Sequence, residues 1–237
     1  MFFGELCEAF PQLGELGFQV PEQVDGKFRL RSYGPHEIIH QKDSQLETIG
    51  VLLEGSFRVF NELENGNLFM IEINDPISFT GEITLLSGHE ITSVTLETIT
   101  PCKIAFLIPD QFDAWLRADI RLLRYVSERI AAKLYLTSYS RGERMFYSSK
   151  YVLLKYILDN CPPSDDKTVV IGKTRQQICE EIGLSVNSIN RLLNGFRQAG
   201  LIDMKHGKIN LTSQNRAAAM KSLKVYLSQN RNGMKQP

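Results

Sequence analysis

Short apolar segments separated by turn-forming residues occupy the chain from Lys27 to Ile108. The segments are rich in Val, Ile, Phe and Thr and comprise 45–53, 56–61, 68–73, 93–99 and 102–108. Turn signals such as Gly34-Pro35 and Asp75-Pro76 lie between them, and Asn65-Gly66 readily supplies the positive φ angles of a tight hairpin. Evenly spaced short strands with no helix between them predict a small antiparallel barrel or roll.

From Pro109 onward the hydrophobic period is that of a helix. Two series of residues, each with a spacing of seven and offset from one another by four, form one apolar seam: Leu116, Leu123, Ile130 and Thr137, and Ile120, Ser127, Leu134 and Arg141. Such a seam predicts a long helix that pairs with a second copy of the chain. The alternative is a helix that packs on the core of its own domain.

A second apolar helix is predicted from Tyr151 to Leu158, and it ends before Cys161-Pro162-Pro163. The boundary between the two halves of the chain is placed near Gly142. The predicted fold class is α+β, with an antiparallel β-roll over residues 1–108, a long dimerisation helix over 109–141 and a separate domain over 142–237.

Residues 174–196 carry the pattern of two short helices joined by a glycine turn. Thr174 can cap the first helix with Gln177 completing a capping box, Gly183 turns the chain, and Ser185 can cap the second helix. In that second helix Ile189, Leu192, Leu193 and Phe196 face inward, which leaves Asn187, Asn190, Arg191, Asn194 and Arg197 pointing outward. This pattern is typical of a DNA-binding helix-turn-helix; the alternative is an ordinary helical hairpin in a core.

The outward residues suit contact with DNA bases. Arg can donate paired hydrogen bonds to guanine, and Asn can pair in the same way with adenine. Behind the second helix, His206-Gly207 lies between two short apolar and basic segments within 202–211, which predicts a two-stranded wing. His206 and Lys208 at the wing tip are candidates for contacts with backbone phosphates.

The charge of the two halves supports a nucleic-acid partner for the second. The 27 Lys and Arg balance the 27 Asp and Glu, yet residues 1–140 hold 11 basic and 20 acidic side chains, a formal charge of −9. Residues 141–237 hold 16 basic and 7 acidic side chains, a formal charge of +9. An excess of that size in fewer than a hundred residues is typical of a DNA-binding surface, although a solvated basic surface without a ligand would have the same composition.

Composition excludes several other classes. The chain has 237 residues, of which 43% are hydrophobic and 23% charged, so it can build two ordinary cores and is not of a disordered type. No apolar stretch approaches the roughly 20 residues of a membrane span, and the acidic amino terminus is not that of a signal peptide, so we expect a cytoplasmic protein with no membrane partner. Four widely spaced cysteines favour buried free thiols over a metal site.

No enzyme is expected. Ile171-Gly172-Lys173-Thr174 looks like the end of a phosphate-binding loop, but Lys167 stands where that motif needs its first glycine. No nucleophile, base and orienting group can be assembled from motif spacing.

Several motifs together resemble the Crp/Fnr family of bacterial transcription regulators. They are Ile39-His40-Gln41, Leu53-Glu54-Gly55-Ser56, Gly81-Glu82-Ile83, Thr174-Arg175-Gln176-Gln177-Ile178 and Arg191-Leu192-Leu193. The resemblance covers about residues 28–211. It implies a cyclic-nucleotide-binding-like roll of the jelly-roll type, a dimerisation helix and a winged helix-turn-helix that binds double-stranded DNA.

The resemblance also implies a set of effector-pocket residues. In members that bind cyclic AMP, a Gly-Glu pair matching Gly81 and Glu82 contacts the ribose and phosphate, and an Arg-Ser pair further along grips the phosphate. Here that second pair is Thr92-Ser93, so the phosphate-binding arginine is missing. Thr137-Ser138 matches the pair that touches the adenine. These residues can still line a pocket, but we do not assign cyclic AMP or any other cofactor, since an unpaired buried phosphate is costly. For Glu82 a turn carboxylate satisfied by backbone amides is an equal alternative.

In the second domain the match to the family is closer. The resemblance implies that Arg175 contacts a phosphate, that the hydroxyls of Ser185 and Ser188 touch the DNA backbone, and that Arg191 contacts a base. Cyclic-AMP-type members have Arg-Glu where this chain has Val186 and Asn187, so its operator sequence is expected to differ.

The sequence therefore predicts a homodimeric, sequence-specific transcription regulator with a near-palindromic operator and, as the resemblance implies, RNA polymerase as a further partner. An effector, if there is one, would change the orientation of the two DNA-binding domains. The alternative from another class is a cyclic-nucleotide-binding regulatory or scaffold protein with no DNA-binding role.

Overall fold

The structure is a computed structural model that describes residues 1–62, 68–162 and 168–233, with side chains described throughout except at 136, 137, 139–146 and 228–233. The chain divides into two compact units, residues 1–135 and 136–237. The Asn65-Gly66 turn falls outside the described residues, as does the side chain of Thr137. Nothing in these units tests the predicted domain bounds at 108 and 141, which stay predictions.

The first unit consists of short helices around an antiparallel roll. Its elements up to residue 107 are α1 (Phe3–Ala9), α2 (Pro11–Gly14), β1 (Arg29–Tyr33), β2 (Ile38–His40), β3 (Ile49–Glu54), β4 (Phe57–Glu62), β5 (Leu68–Asn74), β6 (Ser78–Thr80), α3 (Glu82–Leu86), β7 (Thr95–Thr98) and β8 (Cys102–Leu107). In the described residues the strands form two four-stranded sheets, ordered β1-β8-β3-β6 and β2-β7-β4-β5, with every pairing antiparallel. The predicted roll is confirmed.

A cluster of aromatic side chains joins the amino-terminal helices to the roll. Trp115 is fully buried, and the rings of Phe3, Phe18, Phe28 and Phe112 lie 5.4 to 6.1 Å from it, all in edge-to-face contact. Such contacts stabilise aromatic pairs beyond the burial of their area. The cluster ties α1 to the first helix after the roll.

The prediction of one continuous helix over 109–141 is wrong in one respect, because the chain forms two helices there. They are α4 (Pro109–Ala118) and α5 (Ile120–Phe146), with extended backbone at Asp119 (φ −122°, ψ 103°). The Asp119 carboxylate accepts hydrogen bonds from the backbone N–H of Gln19 at 2.8 Å and of Arg121 at 2.9 Å. The second bond caps the start of α5, and so the helix begins anew at this point.

The two series of residues in the predicted seam have different surroundings. Leu116, Leu123 and Ile130 pack against the core of their own unit, as the alternative interpretation expected. Ile120 is 74% exposed and Leu134 is 65% exposed, with Tyr135 beside it at 77%. The first unit therefore covers the first series, whereas Ile120, Ser127 and Leu134 of the second series are exposed and, with Tyr135, form an exposed stripe on α5; the side chain of Arg141 lies outside the described residues.

The second unit contains three helices, a small sheet and a long terminal helix in its described residues. They are α6 (Ser149–Asp159), β9 (Val169–Ile171), α7 (Arg175–Ile182), α8 (Val186–Gln198), β10 (Asp203–Lys205), β11 (Lys208–Leu211) and α9 (Ser213–Gly233). The strands pair antiparallel in the order β10-β11-β9. A core of apolar residues from α6, α7, α8 and the sheet holds these elements together. The described helices include none that is both long enough and apolar enough to cross a membrane.

Candidate nucleic-acid interface and effector cavity

Local capping interactions build the first helix of the helix-turn-helix. Thr174 Oγ1 accepts from the N–H of Gln177 at 3.1 Å, and Gln177 Oε1 accepts from the N–H of Thr174 at 2.8 Å, which completes the predicted capping box. The helix ends at Gly183, whose φ of 68° lies in the left-handed region that favours glycine. These two features set the start and the end of α7 as the sequence predicts.

The second helix of the motif, α8, presents a polar face to solvent. Ser185 Oγ accepts from the N–H of Ser188 at 3.2 Å and caps the helix. The apolar residues Ile189, Leu192, Leu193 and Phe196 are buried, whereas Asn187, Asn190, Arg191, Asn194 and Arg197 are all exposed. The Ser188 hydroxyl is half-buried and accepts from Ser185 Oγ at 3.0 Å, so it is partly engaged within the cap. One helix face thus carries a row of side-chain donors and acceptors.

The wing lies beside this motif and is fastened by two basic side chains. Strands β10 and β11 form its hairpin, with His206 (φ 49°) and Gly207 (φ 74°) at the tip, and His206 is exposed. Arg175 Nη2 donates to the carbonyl oxygen of Gly207 at 2.8 Å, and burial lowers the pKa of this guanidinium. Lys208 Nζ donates to the carbonyl oxygen of Gly172. Arg175 and Lys208 therefore hold the wing in place, a role that the sequence did not indicate.

A small cavity lies in the roll of the first unit. Its volume is about 50 Å³, and its walls are mostly apolar, with Phe57, Val59, Phe79, Val94 and Leu96 among them. Typical small-molecule pockets measure about 300 to 1,000 Å³, while a single water occupies about 30 Å³ of liquid. In this state the cavity has room for water molecules but not for a nucleotide.

Of the predicted effector residues, the structure brings Gly81, Glu82 and Thr92 to the cavity wall. Ser93 and Ser138 are exposed. The backbone of Gly81 has a φ of 84°, which strains any residue with a side chain, and a Cβ here would lie 2.7 Å from Leu46 Cδ1, so the fold favours glycine without any ligand. The Thr92 hydroxyl donates to the carbonyl oxygens of Gln41 at 2.5 Å and of Ser44 at 3.1 Å. Thr92 thus ties down a neighbouring loop.

A half-buried lysine that the sequence analysis missed lies in the cavity wall. Lys133 Nζ lies 2.8 Å from Glu72 Oε1 and 3.2 Å from Glu82 Oε1. The side chains of Lys133, Glu72 and Glu82 are 20%, 22% and 7% exposed. Position 133 follows the fully buried Val126 by seven residues, on the face of α5 that turns toward the core. A lysine on the side of a helix that the apolar period assigns to the core was the sequence signal that could have indicated this cluster.

The three charged groups leave the cavity without net positive charge. Burial raises the pKa of Glu82, and the charge of Lys133 opposes that rise. Burial acts to lower the pKa of Lys133, but the charges and hydrogen bonds of Glu82 and Glu72 outweigh it and raise that pKa. His40, also in the wall, has its pKa lowered to about 4 by burial and is neutral at pH 7. Lys133 is paired with the carboxyl groups of Glu72 and Glu82, and His40 adds no positive charge.

Models of two protein families match the chain and together cover most of it. Residues 30–119 match the cyclic nucleotide-binding domain, and residues 128–218 match the Crp-like helix-turn-helix domain. The chain belongs to the Crp/Fnr family of transcription regulators. As a member of this family it is a sequence-specific DNA-binding regulator of transcription, which supports the helix-turn-helix interpretation and not the alternative of a scaffold protein.

Curated relatives of this Crp/Fnr protein include two cyclic-AMP-activated global regulators. CRP of Salmonella typhimurium is 25% identical over 175 residues, which cover 72% of this chain and 82% of that protein. Vfr of Pseudomonas aeruginosa is 23% identical over 182 residues, which cover 74% of this chain and 85% of that protein.

Solved structures of bacterial regulators have the same fold. The c-di-GMP-responsive regulator CLP of Xanthomonas campestris superposes with a TM-score of 0.69 at 17% identity, over 79% of this chain and 95% of that one. A Crp/Fnr regulator of Thermus thermophilus superposes with a TM-score of 0.62 at 19% identity, over 84% of this chain and 97% of that one.

Proposed function

We propose that this regulator acts as a homodimer on a near-palindromic operator, with α8 of each copy in the major groove and RNA polymerase as the enzyme whose action it controls. The exposed polar face of α8 carries the proposal. Asn187, Asn190 and Arg191 lie in the first two turns, the part of a recognition helix that meets base edges. Their amide and guanidinium groups form the paired hydrogen bonds by which adenine and guanine are recognised.

Other groups of the second unit suit contacts with the DNA backbone. Ser185 and Ser188 stand at the amino terminus of α8, where free backbone N–H groups and the helix dipole favour a phosphate. His206 at the exposed wing tip and Lys208 beside it offer further donors. Arg175 combines such a contact with its hydrogen bond to the wing, so its loss would also release the tip. Contacts of this kind orient a protein on DNA without selecting a sequence.

The exposed stripe on α5 supports the homodimer. Ile120, Leu134 and Tyr135 are each more than 60% exposed, although a monomeric protein gains by covering large apolar side chains. They belong to, or adjoin, the series whose spacing of seven is that of a helix paired with its own copy. In such a dimer the two α8 helices would meet successive major grooves about one helical turn apart.

Replacement of Arg191 tests the base contact. Arg191→Ala is expected to reduce the affinity for the selected operator by about 1 to 3 kcal/mol at one base position and to change random-sequence binding little. The matched control is Arg197→Ala, which removes an equally exposed arginine from the last turn of the same helix. Binding is measured by fluorescence anisotropy on both DNAs over a range of salt concentrations.

Arg175→Ala gives the opposite pattern in the same assay. It is expected to weaken operator and random DNA alike and to flatten the dependence of affinity on salt, since a phosphate contact releases counterions on any sequence. Equal losses on both DNAs for Arg191→Ala would contradict the base contact. Absence of binding to any DNA at low salt would contradict the proposed function as a whole.

The cavity supports a second part of the proposal, that cyclic AMP is not the effector of this chain. A cyclic phosphate needs a cation within reach, and the one lysine in the described cavity wall is already paired with Glu72 and Glu82. Thermal unfolding with saturating cyclic AMP or cyclic GMP tests this. A ligand at about 100 times its dissociation constant adds about 2.7 kcal/mol, which a shift in midpoint reveals. We expect no shift, and a clear one with either nucleotide would contradict this part.

A further inference from the structure

The Glu72–Lys133–Glu82 cluster joins three elements that are distant in sequence. Glu72 lies on β5, Glu82 is the first residue of α3, and Lys133 lies on α5. The two contacts, at 2.8 and 3.2 Å, are within the range of charge-assisted hydrogen bonds or close to it. An ammonium group has three N–H donors, and two of its acceptors here are carboxylates. The arrangement is that of a binding site for a primary amine.

The surroundings suit the rest of such a ligand. The wall contains Phe57, Val59, Leu96 and the neutral imidazole of His40, none of which carries a charge. Apolar walls accommodate the methylene stem of an alkylammonium ion while the two carboxylates hold its head. By the same chemistry the site repels a phosphate, since both carboxylates would face it.

We propose that the carboxylates of Glu72 and Glu82, in the wall of this cavity, form an alkylammonium site and that the side chain of Lys133 is its permanent occupant. Glu72 and Glu82 belong to residues 30–119, which match the cyclic nucleotide-binding domain, but the ligand class of this site is opposite in charge to a nucleotide. Lys133 holds α5 against β5 and α3 as a bound effector would, so the chain needs no free ligand to dock the middle of this helix. This last consequence rests on the proposed DNA-binding function, whereas the site itself does not.

Chemical rescue tests the site directly. Lys133→Ala removes three methylene groups and the ammonium, which together correspond to n-propylammonium. Thermal unfolding of the full chain is measured in propylammonium chloride, in sodium chloride of equal ionic strength and in uncharged 1-propanol. We expect Lys133→Ala to lower the midpoint by roughly 5 to 10 °C, because it leaves partly buried carboxylates unpaired. Propylammonium should restore most of this loss, and the other two solutes should not.

The matched control is Lys103→Ala. Lys103 pairs with Glu54 at 2.9 Å in the same unit, but both side chains are more than 40% exposed. Its loss should change the midpoint little and should not respond to propylammonium. Wild-type protein should not respond either, because its site is filled. Equal rescue by sodium chloride or 1-propanol, or an unchanged midpoint for Lys133→Ala, would overturn the proposal.

A refolding experiment covers the case in which Lys133→Ala does not fold, and a double variant tests the protein without the site. If Lys133→Ala does not fold in buffer, refolding in propylammonium must recover it, and failure to do so counts against the site. The double variant Lys133→Met/Glu82→Gln removes two of the three charged groups and keeps a side chain in the place of the lysine stem. It should fold without any response to the amine, and a response there also overturns the proposal.

Operator binding tests the role of Lys133 in docking α5 separately from the amine site itself. Lys133→Ala should bind the operator at least about fivefold more weakly, and propylammonium should restore the affinity. If wild-type protein binds no DNA, the proposed function fails while the thermal rescue still decides the site. If rescue restores the midpoint but the variant binds DNA as well as wild type, the amine site stands and the role of Lys133 in docking α5 for DNA binding is wrong.

Discussion

Burial decides the charge of individual side chains in the roll. His40 lies in the cavity wall with its Nε2 atom 3.0 Å from Thr80 Oγ1 and its ring edge-to-face with Phe106. No carboxylate contacts it in the hydrogen bonds that the described residues show, so burial disfavours the imidazolium and lowers the pKa of His40 to about 4. The motif Ile39-His40-Gln41 that helped to indicate the family therefore supplies a neutral core histidine and not a cation for a phosphate.

Acid should destabilise the protein through His40. In the unfolded chain His40 binds a proton below a pH of about 6.5, whereas in the folded chain it stays neutral until about pH 4. The unfolded state thus binds more protons between these values, and the free energy of unfolding falls as the pH is lowered through this range, by up to about 3 kcal/mol at pH 4. Denaturant unfolding of wild type and His40→Asn across this range measures the effect as the difference between their pH profiles. Parallel profiles would contradict it.

At the level of elements, a single carboxylate decides where one helix stops and the next begins. The hydrophobic period runs through Asp119 without interruption, yet Asp119 is buried and accepts from the backbone of Gln19 and of Arg121. Trp115 Nε1 donates to the carbonyl oxygen of Gln19 at 3.0 Å, which fixes the same segment from the other side. The junction between α4 and α5 is therefore held by a partner a hundred residues earlier in the chain.

Replacement of Asp119 should be costly, unlike replacement of its neighbour on α4. Asp119→Ala leaves two partly buried N–H groups without their acceptor and is expected to lower the free energy of unfolding by about 2 to 4 kcal/mol. Asp113→Ala removes an exposed pair with Arg117 at 2.7 Å on the same helix and should cost less than about 1 kcal/mol. Urea unfolding followed by Trp115 fluorescence compares the two. Similar losses for both variants would show that the junction does not depend on the Asp119 bonds.

At the level of the whole molecule, the exposed stripe on α5 is the surface that the single chain leaves uncovered. The face toward the core holds Leu122 and Val126, both fully buried, and the opposite side holds the exposed Arg124–Glu128 ion pair. Leu134 lies between these two faces, and neither the core nor the solvated side accounts for it. A second copy of the helix supplies the missing contact in the proposed dimer.

Charge placed in the stripe should dissociate that dimer. Leu134→Lys would bury an unpaired ammonium at the interface and is expected to yield a monomer in sedimentation velocity. Ala132→Lys is the matched control, because position 132 follows Glu128 by four residues on the solvated side, where a lysine gains a pair. A dimer that persists in Leu134→Lys, or that is lost in both variants, would contradict this placement of the interface.

Much of the second unit was predictable because its determinants are local. The capping box of Thr174, the turn at Gly183 and the polar face of α8 depend on residues within one or two helical turns, and helix geometry alone places them. The roll was predictable for a related reason, since the spacing of strands and turns is written into the apolar pattern. The Asn65-Gly66 signal predicted a hairpin, and β4 and β5 do pair antiparallel, although the turn itself lies outside the described residues.

What the sequence by itself determined is therefore the family, the order of roll, helix, helix-turn-helix and wing, and the outward face of α8. The tertiary structure alone decided which charges meet. Glu72, Glu82 and Lys133 come together from a strand and two helices, and Asp119 finds Gln19 across most of the unit. No repeating pattern in the sequence marks either contact, because the partners lie far apart along the chain and only packing of the elements brings them together. For the same reason the sequence did not single out Lys133, which pairs with two carboxylates in the wall of the cavity near which a phosphate-binding arginine is missing.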